Sequence, residues 1–509
     1  MGGDLRGSTV ADLVRRSARR HPARVAVEFE DRSWTYAEFD DAITRVAARL
    51  LSLGLAHGER VAAFARNSDA YALLYLACAR AGLVHVPINY NATGADLVYH
   101  VQQSSSAALF VAPPLASVAD GVASELSAVR HRGSIDDLVT WGREDGPLPV
   151  VGVAVADTDL VQLLYTSGTT SRPKGAMMTH RAFIHEYLSC ITALDLSASD
   201  RPVHALPLYH SAQMHVYLLP YLALGATNRI VEAPDPSDLL RRVAEDGVDS
   251  LFLPPTVWIA IANHPDLARL DLTGLRKAYY GASIMPVPVL QRLRKALPAA
   301  GFYNCFGQSE VGPLTTVLRP EEHDARPDSA GRPVMFVETR VVDADGVDVA
   351  PGELGEVVYR SPQLCEGYWD KPEETAEAFA GGWFHSGDLV RQDEEGYIFV
   401  VDRTKDVINT GGVLVASREV EEALYEHPAV AEVAVIATPH EKWVEAITAV
   451  VVLGDGASAD DAELIAFSRE RLAAHKVPKA VFFADELPKN PSGKLLKREL
   501  RDRYSRSNA

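Results

Sequence analysis

The sequence predicts an α/β protein of several domains, and three observations carry that expectation. With 509 residues, 47% of them apolar, the chain can fill more than one core, and its length suggests about three domains. Apolar strand runs alternate with helical periodicity through much of the chain, the mark of sheets layered with helices. Past Gly331 the texture changes twice, first to short β-rich runs and then to a mixed helical and stranded tail.

Taken in order, residues 61–65 read as an apolar strand, 70–80 as a helix, and Gly82 with 83–86 as a turn into a second strand, together a βαβ unit. Strand signals recur at 161–165, 250–253 and 277–280, separated by helical stretches such as 239–245. In open sheets of this kind ligands gather beyond the carboxyl ends of the strands, which directs attention to the loops that follow them. Between 331 and 401 short runs (339–342, 356–359, 397–401) are punctuated by Asp-Gly, Pro-Gly and Gly-Gly, as in a small β subdomain. The charged stretch 402–406 leads into a helix at 418–425, strands at 433–436 and 446–452, and a helix at 462–474. A hinge is expected near Lys405, with 1–404 as a large N-terminal domain and 405–509 as a lid of about 100 residues, an ordinary domain size.

Composition narrows the function. Fifty Lys and Arg against 68 Asp and Glu give a net charge of -18, which repels a phosphate backbone, so nucleic acid is not an expected partner. One small anion remains possible, because a nest of backbone amides and a single lysine bind phosphate locally. The four cysteines lack C-x-x-C spacing, so neither a disulfide framework nor a zinc site is expected. Arg6, Arg15, Arg16, Arg19 and Arg20 with no apolar stretch argue against a secretory signal. No uncharged apolar run approaches the roughly 20 residues that span a bilayer. A cytoplasmic protein without a membrane span is expected.

From 163 to 175 the chain reads L-L-Y-T-S-G-T-T-S-R-P-K-G, an apolar strand running into glycines, hydroxyls and one lysine. Glycine lets the backbone approach anionic oxygens, hydroxyls donate hydrogen bonds, and lysine supplies a point charge. Thr166, Ser167, Gly168, Thr169, Thr170 and Lys174 are therefore candidate phosphate ligands. By composition alone, a solvated linker is the commoner fate of such a cluster. The spacing fails G-x-x-x-x-G-K-[ST], which disfavours a P-loop kinase or ATPase.

At this loop the chain resembles the adenylate-forming superfamily of acyl- and aryl-CoA synthetases, peptide-synthetase adenylation domains and beetle luciferases. The resemblance continues through Ser33-Trp34-Thr35-Tyr36-Ala37-Glu38, the strand 82–89, Tyr280-Gly281-Ala282-Ser283 and Phe306-Gly307-Gln308-Ser309-Glu310. It continues further through Trp383-Phe384-His385-Ser386-Gly387-Asp388, Asp402-Arg403-Thr404-Lys405-Asp406 and 488–494. These stand in the family's order and cover nearly the whole chain. The resemblance implies two flavodoxin-like α/β subdomains and a β-rich subdomain in the large domain, and a small mobile C-terminal α+β lid. It also implies ATP, Mg²⁺ and coenzyme A as cofactors.

The resemblance assigns Mg²⁺ to Glu310, whose hard oxygens suit that ion. It places Gly281, Ala282, Ser283, Asn304, Phe306, Gly307 and Ser309 around the nucleotide, with Phe306 in place of the usual tyrosine as a face for adenine. Asp388 would accept the ribose hydroxyls. Arg403 would reach the nucleotide or else serve a structural ion pair. Lys494 would swing in with the lid, where its ammonium offsets the repulsion between carboxylate and α-phosphate; without the motif it would read as part of a basic tail. With Thr166, Lys174, Glu310 and His210, it completes the expected catalytic set.

Lys405 would be the hinge, and Gly411 and Gly412 would line the pantetheine tunnel. There the chain departs from the family, which usually continues Glu-Asn and then proline, where this chain has Val413, Leu414 and Ser417. The change puts the thioester step in question. Ser417 is expected to cap the following helix, with Glu419 favourable in its first turn.

The resemblance puts the acyl pocket near Tyr209, His210, Met214, Trp258, Gly281 and Gly312. His210 reads equally as a gate or as a packed core histidine, and Met214 and Trp258 as pocket walls or as core. Residues 211–216 hold no acid to pair an ammonium, so an apolar acid lacking an α-amine is expected. A medium-chain fatty acid and an aryl acid both fit, the former slightly favoured. The implied reaction is carboxylate plus ATP to acyl-adenylate and pyrophosphate, then coenzyme A to acyl-CoA and AMP. A stand-alone enzyme loading an acyl carrier protein is the alternative, and a silent nucleotide-binding homologue the third reading.

Overall fold

The strand Arg60–Phe64 is buried along nearly its whole length, as a strand covered on both faces must be. It lies inside a six-stranded sheet ordered His131–Ser134, Ser106–Val111, Arg60–Phe64, Val84–Ile88, Leu160–Thr166 and Lys174–Thr179. All pairs are parallel except the last, which is antiparallel. The crossover helix Asp69–Ala81 begins where Ser68 accepts a hydrogen bond from the Tyr71 amide and ends at Gly82, whose φ of 67° suits glycine. The computed structural model describes residues 8–166, 172–283, 285–403, 406–410, 413–440, 443–454, 456–489 and 495–504.

A second, nine-stranded sheet has parallel strands at its centre: Gly301–Gly307, Lys277–Gly281, Ser250–Leu253, Pro202–His204, Asn228–Ile230 and Val25–Phe29. Antiparallel strands close it on both sides, Leu314–Leu318 and Arg332–Pro333 on one and Arg32–Thr35 on the other. A four-stranded antiparallel sheet follows, Glu338–Val342, Leu354–Arg360, Phe384–Gln392 and Ile398–Arg403. These layers form the large α/β domain. The smaller α+β domain is built on the long hairpin Val430–His440 and Val444–Leu453, with Ala480–Phe483 added in parallel. Its helices are Ser417–Tyr425, Asp461–Arg469 and Lys497–Tyr504.

Two expectations are corrected here. The helix expected at 462–474 stops at Arg469, where the Ser468 hydroxyl donates back to the Leu464 carbonyl (2.8 Å), a local bond that competes with helix continuation. Ser417 is the first helical residue, not the cap. Ala416 precedes it without a side-chain bond, and the cap comes from Asp402 at the end of the β subdomain. One Asp402 oxygen accepts from the Ser417 amide (2.7 Å) and hydroxyl (2.8 Å), setting a carboxylate at the positive end of the helix. Lys497 donates to the same hydroxyl (2.6 Å) and pairs with Glu421 (2.8 Å).

The two α/β layers are joined by a buried polar chain. The Gln162 side-chain amide donates to His85 Nδ1 (3.0 Å), His215 Nε2 donates to Gln162 Oε1 (2.7 Å), and the Tyr187 hydroxyl donates to His215 Nδ1 (2.9 Å). Phe183 stacks on His215 at 3.7 Å. Burial keeps both imidazoles neutral, with His85 pushed down to about 3. Among the described residues no helix is long and apolar enough to cross a membrane.

Candidate active site

Strand Leu160–Thr166 carries Thr166 to the carboxyl end of the six-stranded sheet, and the next strand returns with Lys174 directly opposite. The loop between them holds Ser167, Gly168, Thr169 and Thr170, which lie outside the described residues, as do Lys405, Gly411, Gly412 and Lys494. Facing Thr166, strand Gly301–Gly307 runs into the short turn Ser309–Val311, which presents Glu310. The Thr166 hydroxyl donates to Glu310 Oε1 at 2.9 Å. The Tyr368 hydroxyl donates to the same oxygen at 3.1 Å, and Lys174 Nζ stands 5.0 Å above the Tyr368 ring.

Tyr368 is missing from the expected set. Its segment pairs along the open edge of Lys174–Thr179, with Tyr368 opposite Ala176, and a pairing between such distant residues leaves no local pattern. The preceding Gly367 adopts φ 128°, a region that favours glycine.

The turn bearing Glu310 is held from behind. Glu186 accepts from the Leu314 amide (2.9 Å) and from the Gln363 amide, whose nitrogen also donates to the Val311 (3.2 Å) and Leu314 (3.1 Å) carbonyls. The Cys365 amide donates to the Glu310 carbonyl at 2.8 Å. Burial raises the Glu186 carboxyl to about 8. Gly312 faces this support: a Cβ there would meet Glu186 Oε2 at 3.0 Å. Its expected place in the acyl pocket is corrected, since Pro313 and Leu314 line the cavity instead.

A cavity of 1140 Å³ opens on this cluster. Thr166, Lys174, Tyr209, His210, Ala282, Phe306, Gly307, Ser309, Glu310 and Arg403 all line it. Four residues expected around the nucleotide, Gly281, Ser283, Asn304 and Asp388, are not among those that line it. Gly281 is needed for strand packing, because a Cβ would come within 2.3 Å of the Cys305 carbonyl, and the Asn304 amide is committed to the Ser329 carbonyl (2.8 Å). Asp388, only 2% exposed, pairs with Arg403 (Nε to Oδ1, 2.7 Å), so the ion-pair reading of Arg403 holds even as its side chain reaches the cavity. Glu356 fixes the preceding turn by accepting from the Gly387 amide (2.7 Å) and pairing with His385 Nδ1 (2.9 Å). From the smaller domain Lys489, Leu496 and Arg498 face the same space. Lys174, Arg403, Lys489 and Arg498 line it together with Asp96, Glu310, Glu356, Glu374, Glu377 and Glu499.

Val216, Tyr217, Phe252 and Cys305 also line the cavity. Met214 and Trp258, expected there, are fully buried and outside the cavity wall. The Trp258 indole donates to the Tyr279 carbonyl (3.0 Å) and packs on Phe302. Residues Ala212–Leu218 form a π-helix, whose i→i+5 bonding changes the facing pattern and turns Val216 and Tyr217, not Met214, inward. His210 Nδ1 accepts from the Ala212 amide (3.3 Å) while its ring lines the cavity.

The model for the AMP-binding enzyme family matches residues 14–369, and the C-terminal domain of the same enzymes matches 419–494. This chain belongs to the AMP-binding enzymes. As a member of that adenylate-forming family it is an ATP-dependent, AMP-forming ligase acting on a carboxylic acid. A feruloyl-CoA synthase of an Amycolatopsis species is 38% identical over 490 residues, 96% of this chain and 98% of that protein. The ATP-bound structure of MatB from Rhodopseudomonas palustris superposes with a TM-score of 0.90 at 30% identity, covering 98% of this chain and 100% of that one. The anthranilate CoA ligase AuaEII, in complex with anthranoyl-AMP, gives 0.92 at 25% identity over 98% of each chain.

Proposed function

We propose that this AMP-binding enzyme joins a planar aryl acid to coenzyme A through an acyl-adenylate. The observation that carries the choice of acid is the aromatic part of the cavity lining. Tyr217 stacks on Phe252 with ring centroids 4.4 Å apart, and buried Tyr279 backs Tyr217 at 5.0 Å. Aromatic walls suit a flat ring. On this reading an aryl acid is preferred to the medium-chain fatty acid slightly favoured from the sequence. Relatives named for feruloyl-CoA and for anthranilate support the same class.

In this reading the acid's carboxylate attacks the α-phosphorus of ATP and pyrophosphate leaves. The thiol of coenzyme A then attacks the acyl carbon and AMP leaves. Lys174 and the loop it closes hold the phosphates, Asp388 accepts from the ribose hydroxyls, and Arg403 braces Asp388. Glu310 with the Thr166 hydroxyl offers hard oxygens that fit Mg²⁺, which when bound neutralises phosphate charge. His210 stands at the mouth of the acyl pocket. Lys494 is assigned to the carboxylate and α-phosphate, Lys405 to the hinge, and Gly411 and Gly412 to the pantetheine path, with the boundary between body and lid at 404/405. Four free, buried cysteines suit a cytoplasmic location.

An acyl carrier protein is the alternative acceptor, favoured by Val413: an apolar side chain, 45% exposed, where a polar one is usual. Mass spectrometry of products from a panel of aryl and straight-chain acids, with ATP and with or without coenzyme A, tests the reading. Aryl-adenylate without coenzyme A and aryl-CoA with it are expected. Adenylate that never becomes thioester would remove the coenzyme A step, and preference for straight-chain acids would remove the aryl assignment.

Asp388→Ala is expected to raise KM for ATP about tenfold to hundredfold, the worth of hydrogen bonds to a charged acceptor, with a much smaller change in KM for the acid. Steady-state kinetics with each substrate varied would check this; equal rises in both constants would argue for general disruption.

A further inference from the structure

We propose that the amino ends of three neighbouring strands in the nine-stranded sheet hold a second anion site, separate from the nucleotide cavity, that takes a phosphate group. Strands Val25–Phe29, Asn228–Ile230 and Pro202–His204 lie side by side and run parallel. Each brings an arginine at or next to its amino end: Arg24, Arg229 and Arg201. All three line a cavity of 380 Å³ that shares no residue with the larger one. The larger cavity collects Phe306 and Gly307 from the carboxyl end of a parallel strand in the same sheet, so the two cavities lie at opposite ends of the strands.

Contacts place the guanidinium groups themselves at this smaller cavity. Arg24 Nη1 donates to the Gly225 (2.8 Å) and Ala198 (3.4 Å) carbonyls, and Ala198 belongs to the wall. Arg229 pairs with Glu28 (2.9 Å) and Asp246 (3.6 Å), both on the wall. Arg201 Nη1 stands over Gly247, 2.9 Å from where a Cβ would be, between the lining residues Asp246 and Val248.

The charge balance names the ligand. Every acid on the wall is already matched: Glu28 by Arg229, Asp200 by Lys277 (2.6 Å), and Asp246 by Arg229 and by Arg241 (3.4 Å). Among the described residues Arg24 is met only by carbonyls, and the Arg201 guanidinium has no hydrogen-bond or ion-pair partner. Two cations therefore lack a carboxylate, in a chain whose net charge is -18. Guanidinium forks match the oxygens of phosphate, and two of them balance a dianion, where a single carboxylate would leave one charge over. The carbonyls that hold Arg24 also fix its orientation before the anion arrives, so less side-chain freedom is lost on binding.

The test is calorimetric titration of the full-length enzyme with inorganic phosphate, pyrophosphate and ribose 5-phosphate, with acetate as the monoanion control. Lys174→Ala removes the cation of the nucleotide cavity and so separates the two sites. In that background at least one phosphate probe is expected to bind and acetate not to, and adding Arg24→Gln or Arg201→Gln is expected to weaken the binding about tenfold. In the otherwise wild-type enzyme the two arginine variants are expected to leave KM for ATP unchanged. The order of the two inorganic anions against ribose 5-phosphate tells free phosphate from phosphate on an organic stem. Arg201→Gln breaks no bond among the described residues, so it carries the test even if Arg24→Gln unfolds the protein. Phosphate binding that vanishes altogether with Lys174→Ala overturns the second site, as does acetate binding as tightly as phosphate or an affinity unchanged by Arg201→Gln.

Discussion

Glu310→Gln is expected to slow adenylate formation about a thousandfold while leaving the fold intact. Glutamine keeps the shape of the side chain and one acceptor oxygen, so the bonds from Thr166 and Tyr368 can persist, as can the Cys365 bond to the backbone carbonyl. What disappears is the negative charge that holds a hard divalent cation against the phosphates. Loss of several kcal/mol of charge stabilisation, about 4, corresponds to about three powers of ten in rate. Single-turnover pyrophosphate release across a Mg²⁺ titration would measure it, with a thermal melt as the fold control. A variant within tenfold of wild type at all Mg²⁺ concentrations would take the metal role away from Glu310.

The second large effect is on stability in acid. His85, His180, His204 and His215 are buried and neutral, with His85 lowered to about 3, His180 and His204 to about 4, and His215 well below its ordinary value. Each is committed as an acceptor or donor: His180 Nδ1 accepts from the Val10 amide (3.2 Å), and His204 binds Asn228 and Gln213 (both 2.9 Å). Below about pH 6.5 the unfolded chain takes up protons that the folded chain refuses, so stability falls as pH falls, by about 1.4 kcal/mol per unit for each group. From pH 7 to 5 the four together cost about 7 kcal/mol. Glu186 works the other way. Its folded value of about 8 keeps it protonated while the unfolded carboxyl is ionised, which returns about 2 kcal/mol over the same window. A net loss of about 5 kcal/mol is expected, read as a falling urea midpoint between pH 7 and 5. A midpoint that stays level would show that the buried imidazoles are not neutral in the folded state.

Much of this architecture is legible in the sequence because it is local. The βαβ unit around Asp69–Ala81 announces itself through periodicity and Gly82, and the loop residues Thr166, Lys174 and Glu310 sit at strand ends where a layered sheet gathers ligands. The misses share a cause in long-range pairing. Tyr368 reaches Glu310 only because its segment docks on a sheet edge, and Glu186 supports the Glu310 turn from a helix more than a hundred residues upstream. Met214 was assigned to the pocket by position, and a π-helix, which ordinary helical periodicity does not foresee, gave that face to Val216 and Tyr217. Gly281 and Gly312 illustrate a different ambiguity. Their small size answers to packing against Cys305 and Glu186, and a sequence does not say which neighbour a glycine makes room for.

Asp402 belongs to the body by its strand and to the lid by its hydrogen bonds. A chimera that grafts another enzyme's lid at residue 405 would keep this carboxylate and discard the Ser417, Lys497 and Glu421 that answer it. Moving the crossover ahead of Ile398–Arg403 transfers donor and acceptor as one piece, although it divides the four-stranded sheet. The hinge proposed at Lys405 and the seam suggested by these hydrogen bonds therefore fall at different places in the chain.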